Sequence, residues 1–298
     1  MCLQSLVAIN DLSLIQIEQL LSLAQQYSEL SELPQVLQGE IVANLFFEPS
    51  TRTLSSFKVA AYKLGAKTID IDATNSALQK GETVEDTVKN IAAMGVRFFV
   101  IRHAENALVA RVAETFPELK IINAGAGNYQ HPTQALLDIL TIKQEKGSFS
   151  NLKVALVGDL KHSRVAGSLL DAFEIIGIKD VTLVAPRELL PSRARDFAVA
   201  DNLESGLHDA DVIVALRFQK ERMQKNNLGI IDKVAANLCI SPESLDYAKP
   251  DVILLHPGPV NVGVELTATA VSDHRTKIMR QVSNGVFIRA ALFGFLLT

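Results

Sequence analysis

Apolar residues along the 298-residue chain follow two rhythms that alternate. Leu14, Ile17, Leu20, Leu21 and Ala24 fall at helical spacing behind Asp11 and Ser13, two candidate caps, and so predict an amphipathic opening helix. Residues 41–47 form a continuous apolar run, as expected of a strand buried on both faces, and it ends at Glu48-Pro49-Ser50. A helix follows to about Gly65. The alternation then predicts strands at 66–71, 97–102 and 119–123, with helices at 82–94 and 107–115. Four such strand–helix units make one parallel-sheet domain.

His131-Pro132-Thr133-Gln134 opens a further helix to about Lys146, with Pro132 in the first turn, where its missing N–H costs nothing. A second series begins with a strand at 153–157, turns at Gly158-Asp159, and runs through a helix to Gly177 and strands at 180–185, 211–215 and 252–255. Residues 279–297 have helical spacing and are expected to pack back on the first domain. The predicted fold class is α/β, with two doubly wound parallel-sheet domains and an active-site cleft between them, where small-molecule sites usually lie. The length agrees, at roughly 100–200 residues per domain.

Composition narrows the function. A net charge of -4 argues against a general nucleic-acid binder, which needs a basic face. Neither Lys nor Arg precedes Arg52, which fits no secretory or mitochondrial leader and leads to the expectation of a cytoplasmic protein. No apolar run reaches the roughly 18 residues of a membrane span. Cys2 and Cys239 match no zinc or redox spacing and are expected to be free thiols.

Polar residues with chemical potential gather where predicted strands end. Ser50-Thr51-Arg52-Thr53 sits where a strand gives way to a helix, either as an anion cradle of hydroxyls, guanidinium and backbone N–H groups or as an ordinary cap closed by Ser50. Ser76 and Lys80-Gly81-Glu82-Thr83 form a polar loop in which Lys80 is either solvated or reaches a ligand. Arg102 closes the third strand. His131 and Gln134 share the first turn of a helix, as carbonyl donors or as buried structural residues. Arg164 follows Gly158-Asp159, a place similar to a dinucleotide fingerprint but without its glycines. Arg217-Phe218-Gln219 ends another strand, as a charged loop or a fork for a carboxylate. His256-Pro257-Gly258-Pro259 is a rigid turn. Independent caps would not be expected to align this way.

In order and over the whole chain, Phe47–Thr53, Lys80–Thr83, His131–Gln134, Arg217–Arg222 and His256–Pro259 resemble the aspartate carbamoyltransferase family. That resemblance implies transfer of a carbamoyl group from carbamoyl phosphate to L-aspartate in pyrimidine synthesis, without metal or cofactor. It implies a carbamoyl-phosphate domain at 1–132, completed by the helix at 279–298, and an aspartate domain at 133–278. It also implies a homotrimer with shared sites. Ser50, Thr51, Arg52 and Thr53 would hold the phosphate, joined by Ser76 and Lys80 of the neighbouring subunit. Thr53, Arg102 and His131 would polarise the carbamoyl oxygen, and Gln134, Pro257 and Gly258 would hold its amino group. Lys80, Arg164, Arg217 and Gln219 would bind aspartate. The substrates' four negative charges, about two of them on carbamoyl phosphate, would meet Arg52, Lys80, Arg102, Arg164 and Arg217.

The chain departs from the family's usual pattern at Leu54 and Lys58, where an Arg and a Glu four residues apart are both replaced, and at Ala126, Gly167 and Val262. The first two read as one coupled change that does not imply inactivity, and the last three bear on assembly and partner contacts, with a regulatory chain or dihydroorotase as candidate partners of the trimer. Two rival readings are an ornithine carbamoyltransferase, which typically has His-Cys-Leu-Pro in place of residues 256–259, and a silent homologue serving as a scaffold.

Overall fold

The computed structural model describes residues 3–72, 81–218 and 237–297. Two compact units emerge, Met1–Leu140 with Val282–Thr298 and Thr141–Gln281.

In the first unit, β1 (Ile41–Phe46), β2 (Lys67–Asp72), β3 (Phe98–His103) and β4 (Lys120–Ala126) form a parallel sheet in the order β2-β1-β3-β4. Its helices are α1 (Leu14–Glu29), α2 (Thr51–Lys63), α3 (Val84–Ala93), α4 (Leu108–Thr115) and the start of α5 (Pro132–Lys146). Of the two candidate caps for α1, Ser13 is the one used: its Oγ accepts from Gln16 N–H at 3.3 Å and Gln16 Oε1 accepts from Ser13 N–H at 2.9 Å. Asp11 instead holds the preceding turn, accepting from Val7 and Ala8 N–H.

Side chains alternate across the sheet with the period of two that strands impose. Ala43, Leu45, Phe99 and Ile101 point to one face and cluster with Val88 and Ile91 of α3 and Val109 and Val112 of α4. On the other, Phe98 packs edge-on against Phe293 of the C-terminal helix (Ile278–Phe295), which also meets Phe57 of α2. Helices on both faces explain why these strands read as unbroken apolar runs. The connection from β1 runs to β2 on one side, and β3 returns on the other. The chain therefore reverses direction between β1 and β3.

The second unit repeats this plan. β5 (Lys153–Gly158), β6 (Asp180–Val184), β7 (Ala198–Ala200), β8 (Val212–Leu216) and β9 (Ile253–Leu255) form a parallel sheet ordered β7-β6-β5-β8-β9. Among the described strands, only β7 escaped the sequence pattern, because it is three residues long and largely exposed. Between β5 and β6, α6 (Arg164–Ile176) ends at Gly177 in the left-handed conformation that suits glycine. Here the reversal falls between β5 and β8. No described helix is long and apolar enough to cross a membrane.

Candidate active site

In open parallel sheets, ligands bind at the carboxyl ends of the strands where the order reverses. In the first unit that point lies between the ends of β1 and β3, and α2 begins there. Capping predicts that Ser50 Oγ accepts from the first turn of α2. It does not. Ser13, Thr83 and Ser163 all accept such bonds at the starts of α1, α3 and α6, so the chain uses hydroxyl caps elsewhere. Ser50 contributes only its carbonyl, to Leu54 N–H at 3.0 Å, and the first N–H groups of α2 carry the helix's partial positive charge toward this edge. Thr53 is buried and Arg52 exposed. Desolvation lowers the Arg52 pKa, and no carboxylate among the described residues counters it.

Arg102 ends β3 beside this helix start. Its Nη1 donates to Ala124 O at 3.1 Å and its Nε lies 3.6 Å from Glu48, the residue that leads into Pro49-Ser50. Phe47 N–H donates to Arg102 O at 2.9 Å, which extends the β1–β3 pairing up to the turn. Next to it, burial pushes the His103 pKa down, and its Nδ1 accepts from Glu105 N–H. His131 is buried just before α5, where its carbonyl accepts from Gln134 and Ala135 N–H. Gln134 lies one turn along, with Nε2 donating to Asp138 Oδ1 at 2.9 Å.

The second unit's reversal point carries the other two arginines. Arg164 opens α6 after β5, and half-buried Arg217 follows β8 directly. Gly158 lies where the two strands end side by side. It has φ +118°, and a Cβ there would lie 2.4 Å from Leu216 O, so only glycine lets β5 end this close to β8.

Glu265 is the organising residue that the sequence reading missed. Its buried carboxylate accepts from Phe218 N–H at 3.0 Å and from Asn261 N–H and Nδ2 at 2.6 and 2.9 Å, and it lies 4.0 Å from His256 Nε2. His256 Nδ1 accepts from Gly258 N–H at 2.8 Å, while its own N–H donates to Gln281 Oε1. One carboxylate thus ties the residue after Arg217 to the turn that bears Pro257 and Gly258. No spacing in the sequence distinguishes Glu265 from any other loop carboxylate.

Ser76, Lys80 and Gln219 lie outside the described residues. Among the departures, Lys58 pairs across elements with Asp70 of β2 at 2.7 Å, and Asp70 also accepts from Asn44 at 2.9 Å. Ala126 is buried and bridges to Gln130, whereas Val262 is exposed.

Residues 4–144 match the family description "Aspartate/ornithine carbamoyltransferase, carbamoyl-P binding domain" and residues 150–296 match "Aspartate/ornithine carbamoyltransferase, Asp/Orn binding domain". The chain belongs to the aspartate/ornithine carbamoyltransferase family. It is 44% identical over 269 residues to the aspartate carbamoyltransferase catalytic subunit of Coxiella burnetii, covering 90% of this chain and 86% of that one. Identity to the Legionella pneumophila (strain Lens) catalytic subunit is 40%, covering 96% of each chain. Among solved structures, aspartate transcarbamoylase from Trypanosoma cruzi in complex with carbamoyl aspartate and phosphate is similar with a TM-score of 0.89 and 33% identity, over 97% of this chain and 95% of that one. Ornithine carbamoyltransferase from Thermus thermophilus gives the same TM-score at 25% identity, over all of both chains. Backbone shape alone therefore does not separate the two activities.

Gly158→Ala should lower the thermal midpoint more than Gly177→Ala does. Both positions have positive φ, but a Cβ at Gly177 meets nothing within 4 Å. We expect Gly158→Ala to cost about 1–3 kcal/mol beyond that control, or several degrees of Tm by calorimetry. Equal midpoints would show that the Leu216 approach constrains nothing.

Proposed function

We propose that this chain transfers the carbamoyl group of carbamoyl phosphate to the amino group of L-aspartate, giving N-carbamoyl-L-aspartate and phosphate for pyrimidine synthesis. The observation that carries it is the helix start at Ser50, where an uncapped α2 and Arg52, with no carboxylate partner among the described residues, stand beside Arg102. Such a place suits a phosphoryl group. The choice of aspartate over ornithine rests on the named relatives at 40–44% identity and on Arg164 and Arg217 at the second reversal point, since guanidinium groups suit two carboxylates.

On this reading, residues 1–132 with the helix at 279–298 bind carbamoyl phosphate and residues 133–278 bind aspartate. Ser50, Thr51, Arg52 and Thr53 hold the phosphate, with Ser76 and Lys80 of an adjacent subunit in a cytoplasmic homotrimer. Thr53, Arg102 and His131 bind the carbonyl oxygen, while Gln134, Pro257 and Gly258 hold the carbamoyl nitrogen. Lys80, Arg164, Arg217 and Gln219 bind aspartate. The neutral amine attacks the carbonyl carbon, forming a C–N bond as the C–O bond to phosphate breaks, and the proton lost by the amine matches the one the leaving phosphate gains. No protein nucleophile is needed, so catalysis is orientation plus stabilisation of the developing oxyanion.

Purified chain assayed side by side should carbamoylate aspartate and not ornithine; the reverse preference would overturn the assignment. His131→Ala should lose about 100–1000-fold in kcat with little change in carbamoyl-phosphate affinity. Turnover within about threefold of the parent would remove His131 from the oxyanion site. For the shared site, Arg52→Ala and Lys80→Ala chains should each be nearly inactive alone, and trimers mixing them should recover some intact sites. Verified mixed trimers with no recovered activity would sink the sharing.

A further inference from the structure

Gln134 already has one end of its amide committed. Nε2 donates to Asp138 Oδ1 at 2.9 Å, in a buried pair. An ionised carboxylate only accepts, so the amide nitrogen must face Asp138, and Oε1 is the end left for a ligand. Orientation matters here, because a carbamoyl amino group offers only N–H donors. A reversed amide would set donor against donor.

Asp138 is fully buried, and a buried carboxylate stays ionised only where a counter-charge supports it. Arg289 of the C-terminal helix, itself 3% exposed, is the cation on which the charge of Asp138 acts, without a direct hydrogen bond between them among the described contacts. Burial lowers the Arg289 pKa to about 9 while the charge of Asp138 raises it, so the guanidinium remains a cation at neutral pH. Three contacts fix it: Nη1 donates to Gly285 O at 3.0 Å, Nη2 to Thr133 Oγ1 at 3.4 Å, and the group lies 4.8 Å over the Phe57 ring. Gly285 makes the space, since a Cβ there would come within 2.5 Å of Nη1. Arg289 therefore grips the helical turn that bears Gln134.

We infer that Asp138, backed by Arg289, is a positioning residue for carbamoyl transfer, locking the Gln134 amide so that Oε1 accepts from the carbamoyl N–H. The inference rests on Gln134 binding the carbamoyl nitrogen, as proposed above. A purely structural ion pair would affect stability without regard to amide direction.

Asp138→Asn tests this, because an asparagine can present its NH2 to Gln134 where the carboxylate could only accept, and a donor there turns Oε1 inward. We expect kcat/KM for carbamoyl phosphate to fall about 10–100-fold while the fold is retained. Adding Gln134→Glu restores an outward acceptor and the original net charge, and should recover at least about tenfold. Asp138→Asn within about threefold of the parent, or a folded double variant no better than Asp138→Asn, overturns the inference. Should Asp138→Asn not fold, the double variant decides alone: activity within about tenfold of the parent supports the lock, and a folded protein no more active than Gln134→Ala overturns it. Gln134→Ala also separates the two layers. If it is fully active, Gln134 does not bind the carbamoyl group; if it is impaired while Asp138→Asn is not, only the lock fails.

Discussion

A strand can rejoin its own sheet in parallel only after a crossover that lays chain over one face. With all pairs in both sheets parallel, strand ends and the helix starts that follow share one edge of each sheet. Where the crossovers change direction, that edge is left open, between β1 and β3 in one unit and between β5 and β8 in the other. Helix starts bring partial positive charge to such an edge, and the chain adds Arg52 and Arg102 at one and Arg164 and Arg217 at the other. Topology thus decides where anions can bind before any side chain does.

Cations held at such edges need counter-charges that do not block the site. The described structure meets this in graded ways. Arg102 has Glu48 at 3.6 Å with both side chains partly accessible, an arrangement that an incoming anion can compete with because partial solvation weakens it. Arg289 and Asp138 are both buried instead, so neither charge is open to exchange with a ligand's. Glu265 is a third case. Among the described residues, its carboxylate accepts from groups that carry no site role themselves but lie close to those that do, Phe218 after Arg217 and Asn261 after the 256–259 turn.

Much of this was legible in the sequence because its signals are local. Parallel strands covered on both faces give unbroken apolar runs, and Ser13, Pro132 and Gly177 mark helix boundaries by their own chemistry. The uncapped state of Ser50 was not legible, since a serine before a helix reads the same whether or not its hydroxyl turns inward. Nor were the roles of Glu265, Asp138 and Arg289. Arg289 and Thr133 are 156 residues apart, and the Glu265 bond to Phe218 spans 47, so only the fold brings these partners together. Lys58 shows the same limit: as a departure it looked like half of a lost helix pair, while its partner Asp70 is on a neighbouring strand.

Acceptor choice is where shape stops being informative and charge takes over. The Trypanosoma cruzi aspartate enzyme and the Thermus thermophilus ornithine enzyme match this backbone equally well, so the distinction must come from side chains presented at the open edges. Aspartate and ornithine share an α-carboxylate and differ at the far end, carboxylate against ammonium. A guanidinium facing aspartate's second carboxylate at about 4 Å contributes roughly 4 kcal/mol at an effective dielectric near 20, an attraction that ornithine, with a single carboxylate, does not offer. On the proposed reading, one of Arg164 and Arg217 meets the α-carboxylate and the other the side-chain carboxylate, so the pair together selects aspartate.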